Sequence, residues 1–320
     1  MKWIARVFLA VVLIFAIGVG GLWIWTRLLV ADAQSRFPPV GLLAQVNGQL
    51  VHYVDEGEGP TVVLLHGANG ALQDWKETVF DDLLARGYRV VAIDRPGHGY
   101  SDRPPDGPVL ADRQARIVHN LLRQLGVERP VMVGFSWSGA LVLSYALQYP
   151  MQTAAVVSIA GGAYPWPGPI DLKWRFPTWP VIGDLLVEIL PMPVSRFVLE
   201  KVAGQAFGPA PVAPGYLENA PVPLALRPGS YRANAEDVRL LKGFLAEQSA
   251  GYDQLQLPVV IVHGTGDTVV SPSIHSVALD AVAPDSDLTL IENAGHVLPW
   301  SHPKEVLKAI DFAVRKAEAN

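Results

Sequence analysis

The sequence predicts a mostly parallel β-sheet with α-helices on both faces, an inserted lid, and one membrane-spanning helix in front of it. Two observations predict this fold class. Short runs rich in β-branched residues alternate with helical stretches, and an uncharged apolar run of about 19 residues stands near the N-terminus. Alternating β and α segments are typical of a parallel sheet that is covered on both faces.

The N-terminal apolar run extends from Val7 to Trp25. As a helix it would measure about 28 Å, close to the roughly 30 Å thickness of the hydrocarbon core of a bilayer. We expect residues 1–36 to form a membrane anchor and linker, and residues 37–320 to form one globular domain. A slight positive bias on the N-terminal flank favours an extracytoplasmic domain. A cleaved signal peptide, giving a secreted protein, stays open because Ala31 and Ala33 form an A-x-A site.

Composition narrows the classes of partner and chemistry. The net charge is -5 and charged residues make up only 17% of the chain, so we expect no nucleic acid partner. The chain has no cysteine, which excludes disulfides, thiolate metal sites and a cysteine nucleophile. The histidines lack metal-site spacing, and we expect neither a metal nor a cofactor.

The first β-type runs flank an Asn47-Gly48 pair, which predicts a hairpin. Six further runs are apolar and end in glycine or polar residues, as expected for buried parallel strands with loops at their carboxyl ends: TVVLLHG, YRVVAIDRPGHG, VMVGFSWSG, AAVVSIAGG, PVVIVHGTGD and LTLIENAGH. Helical patterns over residues 111–125 and 139–148 separate some of them. From about residue 163 to residue 253 the alternation stops, and this segment, rich in proline and tryptophan, is predicted to form a lid above the carboxyl ends of the strands.

The segment VMVGFSWSG indicates a nucleophile. A β-type run enters it and a helical pattern leaves it, which predicts a sharp turn with Ser136 exposed at its apex. Small residues are needed two positions before and after that serine, and Gly134 and Ser138 supply them. Ser138 departs from the usual glycine. The competing interpretation is a serine that merely caps the next helix.

A serine hydroxyl needs an imidazole to take its proton and a carboxylate to orient that imidazole. Asp267 follows one predicted strand and His296 follows the next. The chain order of serine, acid and histidine is the one expected for such a sheet. We therefore predict that Ser136, Asp267 and His296 form a catalytic triad.

Acyl transfer also requires donors that stabilise an oxyanion. The backbone N-H of Trp137, directly after the serine, is the first candidate. The second comes from the loop HGANG, where Gly67 allows a close backbone approach: the N-H of Ala68 is the first choice and that of Asn69 the next. Nearby polar residues are interpreted as structural: His66, His98, Asp94 and Arg95 support loops, and His263 is a hydrogen-bonded core residue.

Five segments together make the chain resemble the α/β-hydrolase family from residue 45 to the end. They are HGANG at 66–70, DRPGHGYSDRP at 94–104, GFSWSG at 134–139, GTGDTVVSP at 264–272 and NAGHVLPWSHP at 293–303. In relatives that are haloalkane dehalogenases or epoxide hydrolases the nucleophile is an aspartate, and here that position is Ser136. The resemblance thus implies an esterase, a lipase or another acyl hydrolase.

The expected function is hydrolysis of a small-molecule carboxylic ester, with apolar or lipid-like acyl groups favoured by the apolar lid beside a membrane. Three alternatives remain open. A proline iminopeptidase-like aminopeptidase would need acidic lid residues such as Asp171, Asp184 or Glu188 to face Ser136. A cofactor-free perhydrolase or haloperoxidase would use the same triad, and a non-catalytic binding protein would not use it.

Overall fold

The computed structural model of the protein describes residues 2–319. Within these residues the strands are β1 Leu42–Val46, β2 Gln49–Glu56, β3 Thr61–Leu65, β4 Arg89–Ile93, β5 Val131–Phe135, β6 Ala155–Ile159, β7 Val259–Gly264 and β8 Ser286–Ile291. They form one sheet in the order β1-β2-β4-β3-β5-β6-β7-β8. The pairs β1-β2 and β2-β4 are antiparallel, and every pair from β4 to β8 is parallel. The predicted fold class is confirmed.

Helices cover both faces of the sheet and form the lid. Their bounds are α1 Lys2–Arg36, α2 Gln73–Lys76, α3 Phe80–Ala85, α4 Ala111–Gln124, α5 Ser138–Gln148, α6 Leu172–Arg175, α7 Ile182–Ile189, α8 Pro191–Phe207, α9 Tyr216–Asn219, α10 Val222–Ala225, α11 Pro228–Gln248, α12 Ser276–Asp280, α13 Leu298–Ser301 and α14 Pro303–Glu318. Short 3₁₀ turns lie at Pro150–Gln152, Phe176–Thr178 and Ser249–Gln254. Helices α4 and α5 pack together, and α14 packs against β6 and β7.

The hairpin and the strands agree with their sequence patterns, with one exception. Val46 pairs with Gln49 across a turn in which Asn47 and Gly48 both have positive φ, the geometry that this dipeptide favours. Strands β5 and β7 are almost wholly buried. The exception is β8, which was predicted to be buried but is partly exposed, because it lies at the edge of the sheet and is covered less completely.

The segment predicted to interrupt the sheet does so. Residues 163–253, all of them described by the structure, contain helices α6 to α11 and turns but no strand. The segment connects β6 to β7, whose carboxyl ends lie beside the end of β5. Its first residues are held by His275, whose Nδ1 accepts hydrogen bonds from the backbone N-H groups of Ala163 and Tyr164. Burial lowers the pKa of His275 to about 4, so the ring stays a neutral acceptor near pH 7.

Helix α1 is long and apolar enough to cross a membrane, a test that a signal sequence also passes. Its 35 residues extend for about 52 Å, so it exceeds the roughly 30 Å of a hydrocarbon core. The helix continues without a break to Arg36 and its last turns pack on the globular domain: Leu29, Val30 and Ala33 contact a cluster containing Met192 and Leu224. Where the sequence suggested a linker, the structure therefore has a docked helix.

Candidate active site

Ser136 lies at the apex of the turn between β5 and α5. Its φ is 56°, in the left-handed region that non-glycine residues rarely adopt. Two backbone hydrogen bonds hold this conformation: the Ser136 N-H donates to the carbonyl of Ile159 at 2.9 Å, and the Gly162 N-H donates to the Ser136 carbonyl at 3.0 Å. The hydroxyl is thereby presented above the carboxyl end of the sheet.

The small residues of the turn are required by close backbone contacts. A Cβ at Gly134 would lie 2.3 Å from the carbonyl oxygen of Ser138, and one at Gly139 would lie 2.5 Å from the Cα of Gly161. Ser138 is accommodated because its hydroxyl donates a 2.5 Å hydrogen bond to the His66 carbonyl. The departure from glycine thus connects the serine turn to the loop that was predicted to supply an oxyanion donor.

The structure brings the three predicted triad residues together. His296 Nε2 lies 2.8 Å from Ser136 Oγ, and His296 Nδ1 lies 2.7 Å from Asp267 Oδ2. Asp267 follows β7 and His296 follows β8, which are neighbours in the sheet. This geometry allows the imidazole to take a proton from the hydroxyl while the carboxylate holds the ring in orientation.

The carboxylate of Asp267 is strongly biased towards its charged form. Burial by itself raises the pKa of Asp267, but hydrogen bonds from His263 and His296 outweigh it and hold that pKa well below its usual range. The Oδ1 atom also accepts the backbone N-H groups of Val269 and Val270 at 2.8 and 2.9 Å. The carboxylate is therefore a fixed, ionised acceptor.

His263 was predicted to be a hydrogen-bonded core residue, and the structure adds that its partner is the triad acid. Its Nε2 lies 3.0 Å from Asp267 Oδ2 and 2.8 Å from the carbonyl of Val270. Both are acceptors, so Nε2 carries the hydrogen. The signal in the sequence was the spacing of four residues between a strand histidine and the acid that follows the same strand.

The two predicted oxyanion donors flank the serine. Trp137 follows it in the chain, and a Cβ on Gly67, the neighbour of Ala68, would lie 2.9 Å from the Ser136 Cβ. Among the hydrogen bonds formed within residues 2–319, none uses the backbone N-H of Ala68 or of Trp137. Both groups are free to donate to a third partner, and their role remains a prediction.

A buried network supports the floor of the site. Arg95 is completely buried, pairs with Asp237 of α11 at 2.8 Å, and stacks its guanidinium over the Trp137 ring at 4.1 Å. Its backbone N-H donates to Nε2 of His66 at 3.0 Å. Burial and the charge of Arg95 keep the pKa of His66 well below its usual value. Arg95 and His66 thus fix loops and the lid helix α11, in line with the structural role expected for them.

The lid is attached directly to the loop of the candidate base. The His296 N-H donates to the carbonyl of Ala206 near the end of α8 at 2.8 Å. A Cβ on Gly295 would lie 2.4 Å from the Phe207 carbonyl, so only glycine permits this approach. Ser136 and His296 keep only 8% and 6% of their surface exposed. The two side chains are therefore almost completely covered, with the end of α8 directly against the loop of His296.

Within the part of the chain that the structure describes, no group of three or more histidine, aspartate or glutamate side chains is arranged to hold a metal ion.

Comparison with known proteins assigns the same fold. The family model for the alpha/beta hydrolase fold matches residues 60–180. Among curated proteins, the chain is 22% identical over 290 residues to 2-hydroxymuconate semialdehyde hydrolase of Pseudomonas putida, covering 90% of this chain and 99% of that protein. It is 25% identical over 260 residues to 2-hydroxy-6-oxo-6-phenylhexa-2,4-dienoate hydrolase of Burkholderia cepacia, covering 79% and 86%.

A solved structure is similar along the whole length. The crystal structure of a membrane phospholipase A, described as a bacterial virulence factor, has a TM-score of 0.65 and 22% identity and covers 100% of both chains. At this identity the likeness shows the fold alone. The sheet order, the serine turn and the matched family model lead to one assignment: the chain has the α/β-hydrolase fold.

Proposed function

We propose that this protein is a membrane-anchored serine hydrolase that cleaves carboxylic esters with apolar acyl groups. The observation that carries the proposal is the continuous hydrogen-bonded chain from Ser136 Oγ through His296 to Asp267, with spacings of 2.8 and 2.7 Å. Serine in this arrangement is activated by an adjacent base, whereas an isolated hydroxyl is a weak nucleophile.

The reaction proceeds in two steps. Ser136 Oγ attacks the ester carbonyl while His296 takes its proton, and the N-H groups of Ala68 and Trp137 stabilise the oxyanion. His296 then returns the proton to the leaving alcohol, which gives an acyl-enzyme. Water, activated by the same imidazole, attacks the acyl carbon and releases the acid with regeneration of the Ser136 hydroxyl.

The surroundings of the serine favour an apolar acyl group. The Phe135 ring lies 5.2 Å from the His296 ring, and Phe207, Ala213 and Val297 form an apolar cluster that Phe135 joins. The nearby cation, Arg95, is already paired with Asp237. A negatively charged acyl group would therefore have to compete with Asp237 for the guanidinium of Arg95.

Retention of α1 as an anchor is supported by its packing. Ala33, part of the possible A-x-A site, is completely buried against the cluster that contains Met192 and Leu224. Cleavage after this residue would remove the helix that covers Met192 and Leu224. We therefore favour a single-pass anchor over a cleaved signal peptide, with the hydrolase domain outside the cytoplasm as the slight charge bias predicts.

A second candidate comes from the curated relatives, whose names describe hydrolysis of 2-hydroxymuconate semialdehyde and of 2-hydroxy-6-oxo-6-phenylhexa-2,4-dienoate rather than of esters. The aminopeptidase alternative lacks support, since the three lid carboxylates that it required are partly exposed and each has a basic partner: Asp171 with Lys173, Asp184 with Arg232 and Glu188 with Arg27. A perhydrolase would use the same triad with peroxide.

The test is a substrate panel on the full chain in detergent. It contains p-nitrophenyl esters from acetyl to palmitoyl, a lysophospholipid, a 2-hydroxy-6-oxo-dienoate, proline naphthylamide, and peroxide with an acyl donor. We expect esters with apolar acyl chains to give the highest kcat/KM, and the Ser136→Ala variant to give none. Turnover of the dienoate with inert esters would assign the keto-acid reaction instead.

A further inference from the structure

One face of α1 is less exposed than the others, and this face begins inside the apolar run. Thr26 and Ala33 are buried on this face, and Val19, Leu22 and Val30 on it are partly covered. Their spacing of three, four, four and three residues defines a single helix stripe. Two of them, Val19 and Leu22, belong to the apolar run that ends at Trp25, so the less exposed stripe extends into that run.

The contacts between α1 and the lid identify that part. Helix α1 contacts α7, α8 and α10. Arg27 pairs with Glu188 near the end of α7 at 2.6 Å, and farther along α1 the residues Leu29 and Ala33 pack against the cluster that contains Met192 of α8. Along this contact, residue numbers increase in the same direction in α1 and in the lid segment from α7 to α8, and that direction leads away from the apolar run. The start of α7 is therefore closer than Glu188 to the apolar run of α1, on the side where the membrane would lie.

The start of α7 and the residues directly before it carry exposed apolar side chains. We name residues 179–185 the lid tip. Its exposed large side chains are Trp179 at 43%, Val181 at 78%, Ile182 at 60% and Leu185 at 44%. Ile182 lies six residues before Glu188, about 9 Å along the helix. An exposed apolar cluster on a soluble surface is costly and commonly marks an interaction site.

We propose that the lid tip inserts into the same bilayer leaflet that α1 enters. The inference rests on the proposed membrane anchoring of α1 and not on the identity of the substrate. Val19 lies six residues inside the end of the apolar run, about 9 Å along α1, and interfacial helices bury their apolar faces about 5–10 Å into the boundary between headgroups and acyl chains. The depth to which the less exposed stripe of α1 extends therefore matches the depth at which an apolar tip is stable in lipid.

The consequence is that the lid has contact with lipid at one end and with the candidate base at the other. Helix α8 follows the lid tip and α7, and its last turn accepts the His296 backbone hydrogen bond at Ala206. An apolar ester held in the leaflet can then reach the lid without crossing water. A second copy of the chain is the rival occupant of the same surface.

The experiment uses the absence of cysteine from the chain. Full-length single-cysteine variants Ile182→Cys and Val181→Cys are labelled with the fluorophore NBD and reconstituted into phosphatidylcholine vesicles with or without brominated acyl chains. Ile14→Cys, in the middle of the apolar run, reports on the anchor. Met151→Cys is the matched control, because Met151 is 83% exposed and precedes β6 at the opposite end of the sheet.

We expect probes at 182 and 181 to lose most of their emission in brominated vesicles, as the probe at 14 does, while the probe at 151 keeps its emission. If the probe at 14 is quenched but those at 182 and 181 behave like the one at 151, the anchor stands and the lid-tip inference is wrong. Unquenched emission at 14 as well would refute the anchoring itself. Probes at 182 and 181 that are shielded from aqueous iodide yet insensitive to brominated lipid would assign the surface to a second copy and overturn the proposal.

Discussion

His263 donates a hydrogen bond to the same carboxylate oxygen of Asp267 that contacts His296. The distances from Oδ2 are 3.0 Å to His263 Nε2 and 2.7 Å to His296 Nδ1. The two histidines thus share one acceptor atom, and a change at His263 is expected to reach the serine through Asp267. This relationship makes His263 a positioning residue in the proposed mechanism and gives the first prediction.

Replacing His263 by Phe removes one donor to a charged acceptor. A hydrogen bond of this kind is worth about 1.5–3 kcal/mol, so we expect kcat to fall about ten- to a hundredfold. Loss of a donor that lowers the pKa of Asp267 leaves a more basic carboxylate, which stabilises the protonated form of the neighbouring imidazole, so the acid limb of the kcat/KM profile moves to higher pH. His263→Gln, which keeps a donor, should retain most of the parent kcat and an acid limb close to that of the parent. An unchanged pH profile in His263→Phe would show that His263 only fills space.

Ser136→Ala tests the nucleophile. We expect turnover to fall by about four to six orders of magnitude, as in other triads, and labelling by a fluorophosphonate to disappear. Circular dichroism and thermal unfolding should stay close to those of the parent because only one oxygen is removed. Ser138→Ala is the matched control, since it lies two residues away and should still be labelled. If the label maps to Ser138, the nucleophile is Ser138 and not Ser136.

The acid limb of the activity profile should reflect one proton. Asp267, whose pKa is held well below its usual range, stays ionised over the acid limb and takes up no proton there, which leaves only the proton of the general base. We therefore expect log kcat/KM to fall with a slope of about one as pH decreases. Asp267→Asn should lose about four orders of magnitude in kcat because the imidazole is no longer oriented. A slope near two in the parent enzyme would mean that both groups titrate together.

Asp74 predicts a pH dependence of stability. Burial raises the pKa of Asp74 to about 7, against opposing hydrogen bonds from the Ala71 N-H and Trp300 Nε1. Between the unfolded value near 4 and about pH 7 the folded protein binds the extra proton, so its stability falls as pH rises through this range, by up to about 4 kcal/mol. Asp74→Asn should lose that decline in thermal unfolding between pH 5 and pH 8. Asp81→Asn, whose side chain is 80% exposed, should keep it.

The end of α1 should contribute to the stability of the domain. A chain that starts at Phe37 loses Leu29 and Ala33, which cover Met192 and Leu224, whereas a chain that starts at Thr26 keeps them. Because removal of Leu29 and Ala33 exposes apolar surface of Met192 and Leu224 to water, we expect the shorter chain to be less stable by on the order of 2–4 kcal/mol. Differential scanning fluorimetry of the two, with hydrolysis of p-nitrophenyl acetate as a second measurement, checks this. Equal melting temperatures would mean that the helix end is only a linker.

The sequence by itself determined the features that depend on local pattern. The alternation of apolar runs with helical stretches predicted the sheet, the Asn47-Gly48 pair predicted the hairpin, and the small residues around Ser136 predicted the sharp turn. The order of serine, acid and histidine after parallel strands predicted that their side chains meet, because the carboxyl ends of such strands lie at one edge. Here local chemistry and topology leave few alternatives.

Only the tertiary structure decided which distant groups share a partner. The meeting of His263 and His296 at one oxygen of Asp267, the Arg95 pair with Asp237 and the attachment of the lid at Ala206 join residues whose separation in the chain follows no periodic rule. The linker assigned to the end of α1 became a docked helix for the same reason. Its apolar stripe packs against lid residues more than 150 positions away in the chain, and no local sequence pattern predicts a contact between residues so far apart.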